Sequence, residues 1–389
     1  MRKAVLHHIA SDFGKNSSIG FRSKKIYEYA GENFKITVIC RSNKSETEYT
    51  KNIFTLNLVF IFSRLFGFIK AYLKYDFRSR TYELILFNLL SVPYILIHYF
   101  FNINKKKYFH SWDTSLWLIK FVKKLNYKVI KDCAMTPSKS SLIESEKNPF
   151  YYIDNKTTKK DIEIEKKIFE NSDIIISPST YTTVFINKEY KINIKKIKTI
   201  PFGIEKKFFQ SKNYKREIVK KSIKFGFVGL VNMRKGIRWL INDLNLIYEN
   251  GNKNFELHLF GRIFKEEFKT LERAKFKIIS YGFVDISKEN VYELFDILIH
   301  PSFVEGSAKC IYEAMASGLP VICTEQSGSL VKDKESGFII KTGDDSELKN
   351  AVEFFLMNKN QIIKMGKLSR SIISYYSWEL YAKKVSLNY

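Results

Sequence analysis

The clearest chemical signal in this chain comes from two glutamates with seven residues between them. Glu305 and Glu313 lie in the stretch His300-Pro-Ser-Phe-Val-Glu-Gly-Ser-Ala-Lys-Cys-Ile-Tyr-Glu-Ala-Met-Ala-Ser-Gly-Leu-Pro320. It reads as a strand (Asp296–His300), a turn carrying Glu305-Gly306-Ser307, and a helix from about Ala308 to Ser317. Gly318 supplies a left-handed stop and Leu319-Pro320 begins another strand. In a parallel sheet such a turn sits at the carboxyl edge, where open α/β folds bind ligands. The N–H groups of Ser307, Ala308 and Lys309 would open the helix toward that edge, ready for a phosphate. Glu313 could accept paired hydrogen bonds from a ribose diol, and Glu305 could grip sugar hydroxyls. Taken alone, the pair is equally a loop acid and a solvated helix residue.

A second group lies upstream. Phe225-Gly-Phe-Val-Gly229 reads as a strand, and Arg234-Lys235-Gly236 follows it. Two cations at the end of that strand, beside the Glu305 turn, suit a diphosphate; elsewhere in so basic a chain they would be a solvated face. No Asp-x-Asp stands in a setting suited to holding a metal–diphosphate complex, so no metal site is expected.

Positioning these groups requires a parallel sheet, and the second half of the chain has its pattern. Apolar runs at 224–229, 255–260, 276–281, 296–300 and 319–323 alternate with amphipathic stretches at 235–249, 289–294 and 308–317. The first half repeats the theme, with strands at 3–8, 35–40, 107–110, 127–131, 173–177 and 196–200. Its helices fall at about 20–30, 113–125, 160–170 and 180–187. The expected class is α/β with two Rossmann-like domains, 1–205 and 206–372, and a terminal segment 373–389. A length of 389 residues agrees with two cores.

Composition bounds the partners. Lys and Arg number 65 against 40 Asp and Glu, a formal charge of +25. That excess attracts a polyanion such as nucleic acid, an anionic bilayer or a phosphorylated small molecule; spread evenly, it is only a solvated surface. A nucleic-acid module would leave the paired glutamates unexplained, so no nucleic-acid partner is expected. Cys40, Cys133, Cys310 and Cys323 form no CxxC pair, which fits reduced thiols in the cytoplasm. The start, Met-Arg-Lys-Ala-Val-Leu, reads as a first strand and not as a secretory signal.

Residues 53–103 are too apolar for this scheme. Leu84–Ile103 contains no Asp, Glu, Lys or Arg, and it reads as a buried helix, a membrane-facing helix or a true span broken by Pro93. Over Phe54–Arg80 a helix would gather Arg64, Lys70, Lys74 and Arg78 within about 120°. Ile61, Leu65, Ile69 and Tyr72 would lie opposite. That pattern suits the interface of an anionic bilayer, or a core helix with a solvated face.

The His300–Val321 stretch resembles the signature of family 4 retaining glycosyltransferases of the GT-B fold. That signature is Pro-Ser, a variable pair, Glu-Gly, then a second Glu followed by Ala-Met-Ala-x-Gly-x-Pro-Val. The resemblance implies two Rossmann-like, doubly wound domains facing across a cleft. It assigns Glu305, Lys235 and Arg234 to catalysis, and the donor to Gly229, Gly306, Ser307, Ala308, Lys309 and Glu313. Leu230 stands where many members have an arginine, a place Arg234 could fill. Tyr281-Gly282-Phe283-Val284 resembles the loop that reads the nucleobase, and Gly14 falls where the family has a glycine-rich loop near the donor. Thr199–Glu205 resembles the interdomain hinge, and Ser377-Trp378-Glu379 the helix that crosses back to the first domain. On the acceptor side His110 matches a frequent family histidine or is a packed strand-end residue, and Asp132 or Thr136 replaces a further one.

The implied activity is retaining, metal-independent and cofactor-free transfer of a sugar from a nucleotide-sugar to a saccharide or lipid-linked saccharide acceptor. Its setting would be bacterial surface-polysaccharide synthesis on the inner face of the cytoplasmic membrane. An epimerase or phosphorylase on the same fold, or a non-catalytic membrane or nucleic-acid-binding module, are the alternatives.

Overall fold

The computed structural model describes residues 3–14, 19–31, 33–45, 52–57, 79–152, 157–211, 222–285 and 290–389. The first sheet contains β1 (Ala4–Phe13), β2 (Lys35–Asn43), β3 (Ile53–Thr55), β4 (Lys107–Ser111), β5 (Tyr127–Asp132), β6 (Ile174–Ser177) and β7 (Ile197–Thr199). Its order is β3-β2-β1-β4-β5-β6-β7, and every pairing is parallel. Connecting helices are α1 (Ile19–Ala30), α2 (Ser79–Phe100), α3 (Leu116–Lys124), α4 (Lys139–Lys147), α5 (Lys159–Asn171) and α6 (Thr180–Tyr190). Parallel strands covered on both faces read as continuous apolar runs, and β1 is buried from Ala4 to Ala10. The two histidines in that buried run are satisfied internally. His7 Nδ1 meets Ser23 Oγ at 2.8 Å, and His8 Nε2 meets Ser91 Oγ at 2.9 Å. Burial pushes both imidazoles well below their usual range, so both are neutral in the core.

The second sheet contains β8 (Ile223–Val228), β9 (Phe255–Phe260), β10 (Lys277–Ser280), β11 (Ile297–His300), β12 (Val321–Thr324) and β13 (Gly337–Ile340), ordered β10-β9-β8-β11-β12-β13 and again parallel. Around it lie α7 (Ile237–Glu249), α8 (Phe268–Glu272), α9 (Lys309–Ala316), α10 (Asp345–Met357) and α11 (Lys359–Ile373). Separate apolar clusters fill its two faces, one around Trp239 and Phe303, the other around Tyr292 and Tyr312. After α11, α12 (Trp378–Ser386) returns to pack on α1 of the first domain. The Trp378 ring meets Phe21 edge-on at 5.3 Å, and Tyr389 Oη bridges His7 Nε2 (2.9 Å) and His110 Nδ1 (2.6 Å).

Several expectations need correction. In place of the helix expected over 289–294, the described residues 290–294 hold a one-turn 3₁₀ segment, Val291–Glu293, because the chain must reach β11 at once. The apolar stretch beginning at residue 53 starts as edge strand β3, whose short length hid it among its apolar neighbours. Arg64, Lys70, Lys74 and Arg78 lie outside the described residues, as does most of the helix expected over 54–80. Elements α4, α8, α10, α11 and β13 had no counterpart in the sequence reading. The 84–103 stretch is helix as far as Phe100, and it packs one face on β1 and β2.

One buried acid in this fold makes stability pH-dependent. Asp243 on α7 is 1% exposed, and burial, then the nearby Asp345 carboxylate, raise it from an ordinary value to about 7. In the unfolded chain it ionises near pH ~4. Between those values the native state holds the extra proton, so stability falls as pH rises through about 7. Asp243→Asn should therefore raise the melting temperature by a few degrees at pH 8 and leave it nearly unchanged at pH 4.5. Differential scanning calorimetry at the two pH values checks this.

Candidate active site

Strand order reverses direction between β1 and β4 in the first sheet and between β8 and β11 in the second. At such switch points the loops leaving adjacent strands diverge and open a crevice at the carboxyl edge. In the second sheet the two loops are 229–236 and 301–308, which carry the basic pair and the Glu305 turn. Phe303 N–H (2.9 Å) and Ser302 Oγ (3.2 Å) both donate to the Arg234 carbonyl, fixing one loop against the other.

The centre is a buried charge cluster. Lys235 Nζ donates to Glu305 Oε2, and Arg234 Nη1 lies 3.2 Å from the same oxygen while also donating to the Val304 carbonyl at 2.7 Å. Burial alone would raise the Glu305 carboxyl, but Lys235 and Arg234 outweigh it and hold the group at about 2. His300, ending β11, closes the cluster, with Nε2 3.4 Å from Lys235 Nζ and Nδ1 3.4 Å from Cys310 Sγ. Burial and then the Lys235 charge drive its pKa well down, so a neutral ring faces the ammonium. The same burial pushes the Cys310 thiol up to about 12, which leaves it protonated and unreactive.

Glu313 sits one helical turn into α9, 5% exposed. Its Oε2 accepts from Tyr292 Oη at 2.5 Å, and Lys309 Nζ approaches Oε1 at 3.4 Å. Burial raises its pKa against these two partners, the opposite direction to Glu305. The two carboxylates are thus unlike in kind: Glu305 is firmly ionised between cations, and Glu313 is desolvated and lightly compensated. Lys309 also reaches Glu205 at 3.6 Å and lies 5.4 Å from the centre of the Phe21 ring on α1.

The remaining expected donor positions divide. Gly229 has open space where a Cβ would stand, and Gly282 takes a left-handed φ of +66° with its carbonyl accepting from Gly261 N–H. Phe283 is 83% exposed, a free ring beside that turn, and Val284 packs on the Tyr292 cluster. Gly14 ends β1 at the first sheet's switch point. The helix opening differs from expectation. Ala308 N–H is already donated to the Ser327 carbonyl at 3.0 Å, and Ser307 Oγ bonds to Tyr312 Oη and the Gly328 carbonyl. Helix α9 starts only at Lys309, so the three N–H groups do not open together.

The acceptor-side residues are not presented to a ligand. His110 is fully buried, stacked on Trp112 at 4.2 Å and bonded to Tyr389. Asp132 pairs with Arg22 at 3.2 Å and lies 3.4 Å from His110 Nε2. Both work in the packing of α1 and α12. Thr136 is a domain contact, because its Oγ1 donates to the Glu305 carbonyl. Ser179 Oγ (2.8 Å) and Thr182 Oγ1 (3.3 Å) donate to the Gly306 carbonyl next to it. Sequence reading missed His300, Tyr292 and these two hydroxyls; only His300, at the end of an edge-directed strand, left a usable signal.

Comparisons with known proteins agree with this fold. Residues 222–358 match the family model described as Glycosyl transferases group 1. A capsular polysaccharide biosynthesis glycosyltransferase of Staphylococcus aureus is 26% identical over 164 residues, which is 39% of this chain and 42% of the relative. The chain spans about two fifths of the length of the curated relatives of this kind. Among solved structures, sucrose-phosphate synthase from Thermosynechococcus elongatus superposes with a TM-score of 0.72 at 17% identity, covering 100% of this chain and 98% of the other. The Anabaena HepE protein, solved in complex with UDP and glucose, gives 0.65 at 14% identity, with 100% and 99% covered. At such identities the likeness establishes the fold, which is GT-B.

The Glu305 turn depends on the absence of a side chain at Gly306. A Cβ there would lie 2.5 Å from Met135 Cα and 2.7 Å from the Ala134 carbonyl oxygen, distances no real contact tolerates. Gly306→Ala should push the two domains apart and lower the melting temperature by several degrees. Small-angle X-ray scattering should then report a larger radius of gyration than for the wild type.

Proposed function

We propose that this GT-B protein is a retaining glycosyltransferase that moves a sugar from a nucleotide-sugar to a saccharide acceptor without a metal ion. The observation that carries the reading is the Glu305–Lys235–Arg234 cluster at the switch point of the sheet whose sequence matches the group 1 glycosyl transferases. Two cations held by one carboxylate can turn to a diphosphate when it arrives, stabilising the charge that develops on the leaving group. Donors already fixed in a desolvated site need little reorganisation, which is the source of such catalysis. Glu313 is suited to a ribose diol: it is buried, has accepting capacity beyond the Tyr292 and Lys309 bonds, and lies one turn from the Glu305 loop. Phe283 and the Gly282 turn offer a ring and backbone groups to a base. Among the described residues no group of three or more His, Cys, Asp or Glu is arranged to hold a metal ion. The solved relative's UDP and glucose support a nucleotide-sugar donor, and the relative named for capsular polysaccharide supports an acceptor in surface-polysaccharide synthesis.

The acceptor is read as lipid-linked, with the enzyme on the cytoplasmic face of the membrane. The polarity of α2 supports this. Its inner face carries Glu83, Asn88, Ser91 and His98, tied inward by Arg41–Glu83 (2.8 Å), His8–Ser91 (2.9 Å) and His98–Tyr127 (2.6 Å). Its outer face shows Tyr82, Ile85, Leu89, Ile97 and Phe100, and Phe101 and Ile103 follow, all exposed. A water-facing helix has the reverse arrangement, and an apolar outer face bounded by exposed lysines such as Lys106 suits a bilayer interface.

Transfer to acceptor, assayed in excess EDTA, should persist in the wild type and fall at least about tenfold in both Glu313→Ala and Lys235→Ala. Each removes a charged partner of the nucleotide, an interaction of about 1.5–3 kcal/mol. Wild-type turnover in both variants would overturn the site, and rescue only by manganese would overturn the metal-free mechanism. In sedimentation with phosphatidylglycerol vesicles the wild type should pellet, and Leu89→Asp with Phe101→Asp should cut the pelleted fraction several-fold.

A further inference from the structure

Beside the charge cluster lies a cavity of about 430 Å³ that the donor site leaves unused. That volume falls within the range of about 300–1,000 Å³ common to small-molecule sites. It opens between the segment after α4, which contributes Tyr151 and Tyr152, and the second domain, where the loops leaving β8 and β9 contribute Arg234 and Phe264 and the first turn of α7 contributes Arg238. Arg234 is the shared wall, lining the cavity while its Nη1 touches Glu305. Any group held in the cavity is therefore next to the proposed reacting centre.

The lining selects a chemistry. Tyr152 and Phe264 are 50% and 39% exposed, so each offers a ring face. Tyr151 is buried and stacked on Phe303 at 5.5 Å, which makes that wall rigid. Arg238 is fixed on two sides, by Glu267 Oε2 at 2.8 Å and by the Tyr152 ring 5.4 Å away. Glu267 is itself 2% exposed. Both cations in the cavity already have carboxylate partners, Arg234 with Glu305 and Arg238 with Glu267. On the lining itself Arg234 and Arg238 are matched by Glu266 and Glu267, so the wall carries no net positive charge to draw in a phosphate. Flat aromatic faces beside fixed, charge-compensated hydrogen-bonding groups suit an uncharged sugar, whose C–H face packs on a ring while its hydroxyls bond at the edge.

Resting on the glycosyltransferase reading, we propose that this cavity is the acceptor pocket, and that it takes an uncharged saccharide unit with Tyr152 and Phe264 against the ring and Arg238 at its hydroxyls. The pocket then lies across Arg234 from the donor, so the acceptor reaches the leaving group from the side the first domain covers.

Saturation-transfer NMR on the full chain tests this with the methyl glycosides of glucose, galactose, mannose and N-acetylglucosamine, with glucose 6-phosphate, and separately with UDP, GDP and ADP. At least one methyl glycoside should receive saturation from the wild type. Its signal should fall at least threefold in Tyr152→Ala and in Phe264→Ala, both partly exposed positions, while the nucleotide signal stays as in the wild type. An unchanged glycoside signal in both variants, no glycoside signal in the wild type, or preference for glucose 6-phosphate over every uncharged sugar overturns the proposal. Absence of any nucleotide signal from the wild type instead counts against the glycosyltransferase reading, and a glycoside signal dependent on Tyr152 would then stand without it.

Discussion

The carboxylate of Glu305, buried between Lys235 and Arg234, is the interaction on which the rest of the candidate site depends. Removing it would leave two cations in a half-dry crevice, and an uncompensated buried charge costs about 3–5 kcal/mol. The same residue's carbonyl takes the Thr136 hydroxyl, and the next carbonyl takes Ser179 and Thr182. One turn therefore sets the electrostatics of the second domain and the seating of the first upon it. Chemistry and domain contact are joined by two adjacent peptide units.

How much of this was legible in the sequence follows from how local each feature is. The turn at Glu305, the helix carrying Glu313 and the strand before Lys235 are built from contiguous residues, and their pattern fits the structure to within a residue or two at most ends. The groups that surround Glu313 and Glu305 are not contiguous. Tyr292 reaches Glu313 from a 3₁₀ turn 21 positions earlier, and Ser179 reaches Gly306 across 127. Such partners share no periodicity with what they touch. Residue type misled where burial decides role: His110 and Asp132 look like ligand groups, yet the return of α12 encloses them with Tyr389 and Arg22.

Helix α2 shows the same limit from the other side. Its composition met the length rule for a membrane span, and only its contacts reveal which face is turned inward. Glu83, Ser91 and His98, polar residues in an apolar run, bond it to Arg41, His8 and Tyr127. Those residues fasten the helix to the protein.

The two domains meet at the Glu305 turn almost wholly through uncharged donors: Thr136, Ser179 and Thr182 on the turn, and the Gln326 amide and Thr342 hydroxyl on Glu144. Separating the two domains parts the Lys309–Glu205 ion pair (3.6 Å) and breaks hydroxyl and amide bonds at the turn itself. Dissolved salt screens charges and leaves such bonds nearly untouched. The two kinds of contact thus answer to different variables, so rising ionic strength loosens the Lys309–Glu205 pair while the hydroxyl bonds on the Glu305 turn hold.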